Sequence, residues 1–157
     1  MTSSQKRTTL DTRFANADDS PGFMLWKAAN MLQRAHAACL RELDITPAQF
    51  SLLTCLVYLQ GEGPVTASAI VTHAGMDKML VSDLVAALVR KRLVAKSANP
   101  ADARSSLIKA TAAGVRTTNA AVKKIEALDD VFFAPVRDPE ALQDALRKLV
   151  NENAATT

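Results

Sequence analysis

A mainly α-helical fold with one small β-hairpin is predicted by three features of this chain. Apolar residues recur at helical spacing along most of its length. Aromatic residues are only 4% of the sequence against 48% hydrophobic residues overall, a balance that suits helices packed through small side chains and not a sandwich of strands. Over residues 65–111 a Thr-capped short helix, a turn at Gly75, a second amphipathic helix and two β-prone runs follow one another. Helix, turn, helix and hairpin in that order make a winged helix-turn-helix. At 157 residues the chain is one domain by length, enough to bury a core.

Residues 1–19 are polar, mixed in charge and without periodicity, which predicts a disordered arm. Ser20-Pro21 then reads as a helix start, with Ser20 as cap and Pro21 in the first helical position. Leu25, Ala29, Leu32, His36, Cys39 or Leu40, and Leu43 follow at helical spacing, ending near Asp44. Thr46-Pro47-Ala48-Gln49 is a second start, in which Gln49 reaches back to the cap amide. Phe50, Leu53, Leu56 or Val57, and Leu59 are the expected buried side, and Gly61-Glu62-Gly63-Pro64 breaks the helix.

Thr66 opens a third, short helix reaching about Thr72, and Gly75 permits the turn after it. Asp77 places a carboxylate at the amino end of the fourth helix, where the dipole favours it. Val81, Leu84, Val85 and Leu88 form that helix's inward face. Leu93-Val94-Ala95 and Ser106-Leu107-Ile108 are the strand candidates. Thr111 caps a fifth helix to about Asp130, with Val115, Ala121 or Val122, Ile125 and Leu128 as apolar positions. Phe132-Phe133 is expected to pin it to the core, and Pro135 breaks the pattern. Asp138-Pro139 starts a last helix with Leu142, Ala145, Leu146, Leu149 and Val150 on one stripe, and 151–157 read as a flexible tail.

A net charge of +3 is too mild to define a partner, so its distribution matters more. Arg90, Lys91, Arg92, Lys96, Arg104 and Lys109 lie in one short stretch, opposed there only by Asp102. This places the positive charge at the proposed DNA reader. Lys78 and Arg90 suit phosphates, and Ser82 a base edge or a phosphate, while Met79 and Asp83 share the outward face of the fourth helix. Asp83 would be repelled by phosphate but suits the cytosine amino group. Arg104 at the hairpin tip suits a narrow minor groove, with Asp102 pairing to it and holding the tip. Thr66 and Ser68 offer hydroxyls and helix-end amides to phosphate, although capping alone also explains Thr66.

Other chemistries find little support. No secretory signal or uninterrupted bilayer-length apolar segment is visible, so a cytoplasmic protein without membrane contact is expected. Cys39 and Cys55 read as buried thiols. Neither His36 nor His73 belongs to a cluster with metal-ligand spacing, so neither a metal nor a cofactor is expected. A phosphate-cradling Gly loop and a nucleophile–base motif are both missing, which argues against an enzyme.

The segments Leu43-Asp44-Ile45-Thr46-Pro47-Ala48-Gln49-Phe50, Ala74-Gly75-Met76-Asp77-Lys78 and Leu93-Val94 occur in an order that resembles the multiple antibiotic resistance regulator (MarR) family. The most specific part is Asp102-x-Arg104 followed by Thr111-Ala112-Ala113-Gly114. Arg92 stands where a glycine is common in that family. The resemblance spans residues 20–150 and implies one MarR-like domain. Residues 46–111 would be its DNA-binding lobe, and residues 20–45 and 112–150 its dimerisation helices. It further implies a homodimer on a pseudo-palindromic operator in double-stranded DNA, often with a small-molecule pocket between dimer and DNA lobes. Met24, Trp26, Met31 and Phe50 suit such an effector pocket, although each residue taken singly suits core or dimer packing better. The expected function is a transcriptional repressor released by an effector. The alternative is a ligand- or protein-binding module of the same fold without specific DNA recognition.

Overall fold

The computed structural model describes residues 10–154. Helix α1 (Pro21–Leu40) is followed by a 3-10 turn, then α2 (Pro47–Gln60), β1 (Val65–Thr66), α3 (Ala67–Ala74) and α4 (Lys78–Arg90). The hairpin β2 (Val94–Ala98) and β3 (Ser106–Ala110) leads into the long α5 (Ala112–Phe133) and the last helix α6 (Pro139–Ala154).

Helix starts follow the local chemistry of the sequence. The side chains of Ser20, Thr46, Thr66, Asp77 and Thr111 each accept a hydrogen bond from the backbone amide three residues on. Asp138 does the same for Ala141 at 2.9 Å. At Thr46 the box closes in both directions, Gln49 Oε1 accepting from the Thr46 amide at 3.2 Å. Gly75 ends α3 at φ 63°, a left-handed conformation that costs a residue bearing Cβ about 1–2 kcal/mol. Arg92 adopts a similar conformation, φ 59°, where the chain turns from α4 into β2.

Several boundaries differ from expectation. Residues 1–9 and 155–157 lie outside the described residues, so that part of the arm and of the tail is not addressed. Within the expected arm, Ala17–Asp19 forms a 3-10 turn, with Asp19 accepting from the Asn16 amide at 2.9 Å. Within the expected tail, residues 151–154 continue α6. Both strands run longer than predicted, and the two-residue β1 was not predicted at all. It completes an antiparallel sheet of order β1-β3-β2 by pairing Val65 with Ile108. Two residues are too few to show a period.

The core gathers Leu40, Leu52, Leu53, Leu56, Ile70, Val81 and Leu88, all fully buried. Helix α2 lies at its centre, touching α1, α3, α4, α5 and the sheet. That is why it buries Leu52 and Cys55 beside Leu53 and Leu56, while Phe50, Val57 and Leu59 are only half-buried. Phe132 and Phe133 do not reach this core; they pack edge to face on each other, ring centres 5.1 Å apart.

The junction between hairpin and α5 explains the Thr111-x-x-Gly114 spacing. The Thr111 amide donates to the Leu93 carbonyl at 3.0 Å. Its hydroxyl donates to the Arg92 carbonyl at 2.9 Å and accepts from the Gly114 amide at 3.0 Å. A Cβ on Gly114 would fall inside the Leu93 carbonyl. The glycine lets α5 start against the base of the hairpin.

Candidate nucleic-acid interface

Three elements wall an exposed cleft of about 530 Å³. The start of α3 contributes Thr66 and Ser68, α4 contributes Lys78, Ser82 and Ala86, and the hairpin contributes Lys96, Arg104, Ser105 and Ser106. Five of the eight residues expected to meet DNA thus face one another: Thr66, Ser68, Lys78, Ser82 and Arg104. Among the described residues, Lys78, Lys96 and Arg104 make no ion pair, which leaves three cations open to an outside anion. Thr66 also caps α3, accepting from Ala69 at 3.3 Å, so its hydroxyl has a structural task as well.

The other three candidates, Met79, Asp83 and Arg90, lie outside the cleft on the exposed face of α4. Met79 is 76% exposed although it is apolar. The inward face is as predicted: Val81, Leu84, Val85 and Leu88 are all buried.

The hairpin tip is held by its own side chains. Asp102 Oδ1 accepts from the Arg104 backbone amide at 2.9 Å. Asn99 accepts from the Ala101 amide at 3.0 Å and donates to Ser105 Oγ at 2.7 Å. Asp102 therefore supports the tip through the backbone and not through the expected ion pair with Arg104, whose guanidinium stays exposed. An Asx turn of this kind is short-range and so easily satisfied.

The basic stretch does not act as one patch. Lys91 turns away from the cleft and donates to the Asp44 carbonyl, pairs with the Asp44 carboxylate at 3.3 Å and approaches Gln49 Oε1 at 3.4 Å. Lys109 lies with Gln60, Gly63 and Pro64 in a different cleft. Lys96, by contrast, belongs to the site and was missed as a contact residue. Its strand period was the available signal: Lys96 stands two residues from buried Val94, on the same sheet face, opposite Ile108 in the register.

The proposed effector residues are not gathered within one chain. Met24, Trp26 and Met31 are exposed on α1, where Trp26 stacks on Phe23 at 5.9 Å. Phe50 lines a separate hollow with Cys55, Tyr58, His73 and Met76. His73 stacks on Tyr58 at 5.4 Å, and His36 meets Asp129 across α1 and α5 at 2.7 Å. Among the described residues, no group of three or more His, Cys, Asp and Glu is placed to hold a metal ion. Cys39 is half-buried and Cys55 buried. Burial pushes the Cys55 thiol above its ordinary value, away from the reactive thiolate.

Recognition helix, exposed cationic cleft and arginine-tipped hairpin together define a winged helix-turn-helix transcriptional regulator. Comparison with known proteins agrees. A model of the MarR family matches residues 43–105. The uncharacterized HTH-type transcriptional regulator YdcH of Bacillus subtilis (strain 168) is 34% identical over 140 residues, covering 88% of this chain and 95% of that protein. This chain belongs to the MarR family. Among solved structures, CouR from Rhodococcus jostii bound to p-coumaroyl-CoA superposes with a TM-score of 0.76 at 23% identity, covering 90% of this chain and 96% of that one. The Mycobacterium tuberculosis regulator MOSR in complex with DNA gives 0.75 at 23% identity, covering 87% and 98%. At that identity they speak for the fold.

Proposed function

We propose that the protein acts in the cytoplasm as a homodimeric repressor that binds a pseudo-palindromic operator and is released by a small-molecule effector. The observation that carries the DNA part is the convergence of Lys78, Ser82, Lys96 and Arg104 on one exposed cleft beside the outward face of α4. Helix α4 would enter the major groove while Arg104 reaches the adjacent minor groove, where a narrow groove concentrates negative potential. Lys78 and Lys96 would neutralise phosphates, and Thr66 and Ser68 would offer hydroxyls to the backbone.

Dimerisation is supported by apolar surface that one chain leaves open: Phe23, Met24, Leu25 and Trp26 on α1, and Leu146, Leu149 and Val150 on α6. Two lobes related by a two-fold axis would read half-sites about one helical turn apart. Effector release is supported by the coenzyme A thioester in the CouR structure. A ligand that prefers a DNA-incompetent dimer would release the operator by population shift.

The test is fluorescence anisotropy against duplex DNA flanking the protein's own gene, across a salt series. Expected are a preference of at least roughly a thousandfold over unrelated duplex and an affinity that falls with salt. Arg104→Ala should lose roughly tenfold in operator affinity while the dimer persists. Equal, weak binding to every duplex would replace this reading with that of a ligand- or protein-binding module.

A further inference from the structure

The outward ridge of α4 carries an unusual reader. Its buried residues Val81, Leu84, Val85 and Leu88 fix the inward direction. At 100° per residue, Met79, Asp83, Ala86 and Arg90 then point the opposite way, and all four are exposed. Only Arg90 among them could grip a purine by two hydrogen bonds, and it is the last residue of α4. Base contacts of such helices concentrate toward the amino end.

The Asp83 carboxylate makes no hydrogen bond or ion pair among the described residues. Its neighbours three and four positions away are Met79, Leu80, Ala86 and Ala87, so no cation on the helix offsets its charge. A free carboxylate carried between phosphates is repelled unless a donor meets it. In the major groove the cytosine N4 amino group is such a donor. Guanine offers only acceptors and thymine an acceptor and a methyl, while adenine sets its amino group beside the acceptor N7. Met79 and Ala86 flank Asp83 on the ridge and suit thymine methyl groups.

We infer that the protein selects operator half-sites in which Asp83 accepts from a cytosine amino group, with thymine under Met79 or Ala86 beside it. This rests on the operator reading above. Asp83 acts through rejection as much as attraction, because a base without a donor leaves the carboxylate facing an acceptor.

Selection from a randomised duplex pool, at one salt concentration, with wild type, Asp83→Asn and Asp83→Ala tests it. Thermal unfolding accompanies each variant, and exposure of the site predicts unchanged stability. Wild type should enrich symmetric sites with a cytosine in each half. Replacing both cytosines by thymine should weaken binding by roughly 5- to 150-fold per half-site. Both variants should lose that discrimination and keep the rest of the site. If the variants select the same bases with the same discrimination, or if the position that relaxes is not a cytosine, the inference falls and the operator reading stands. If wild type enriches no sequence, both fall together.

Discussion

Helices α4 and α6 are both amphipathic, yet α4 buries four residues and α6 buries none. Helix α1 resembles α6, with Leu40 at its end as its one buried residue. The lobe from α2 to β3 closes its core inside one chain, while the terminal helices present apolar side chains to solvent. In a folded chain such a stripe is stable surface only when something covers it. The difference separates a head that buries its apolar face within the chain, with Leu40 of α1 and Ala121 and Ile125 of α5, from terminal helices whose exposed stripe the proposed dimer would cover.

Breaking the stripe without touching the head should give the largest effect. If the proposed dimer forms through this stripe, Leu146→Asp combined with Leu149→Asp should convert it to monomer in sedimentation, leaving amide-exchange protection of α4 unchanged. Operator affinity should fall by roughly a hundredfold or more, because two linked half-site contacts become one. A double variant that sediments like wild type would mean that α6 is not the interface.

The head should be most sensitive where backbone meets backbone. Gly114→Ala forces a methyl group into the Leu93 carbonyl and so separates α5 from the hairpin. A loss of about 2–3 kcal/mol is expected in denaturant unfolding, at the upper end of overpacking costs. A neutral result would show that the α5 start can slide away from β2.

The smallest effect belongs to an exposed link between α5 and the turn after α1. Lys124 Nζ donates to Glu42 at 2.7 Å. That hydrogen bond, then the charge of Lys124, holds the Glu42 carboxyl below its ordinary 4.5. A lowered carboxyl adds stability above the unfolded value and loses it as pH falls through the folded one. The Lys124 ammonium is raised in turn, first by its hydrogen bond to Glu42. Its share is present below the unfolded value and lost as pH rises through the folded one. Glu42→Gln should slightly flatten the acid limb of a melting-temperature profile below pH 4.5. An unchanged limb would show that solvent screens the pair completely.

Much of the head was legible in advance because its signals are local. Each predicted cap satisfies an amide three residues away, and the spacing of Val81, Leu84, Val85 and Leu88 states its own period. Arg104 could be named because a turn-rich tip between two strands exposes whatever it carries. Lys96 and Lys91 could not be sorted the same way. One enters the cleft and the other braces Asp44, a choice made by strand register and by a residue 47 positions earlier in the chain. Likewise Met24, Trp26 and Met31 could not be joined to Phe50 by spacing, and within one chain they are apart.

The amino-acid sequence by itself determined where helices begin, which faces are apolar and which hairpin carries the arginine, since caps and periods are settled within a turn or two. Tertiary structure decided that β1 pairs with β3, which basic residues share a cleft and which apolar stripe stays uncovered. Those outcomes depend on contacts between distant segments, where packing and register choose among side chains that look alike in the chain.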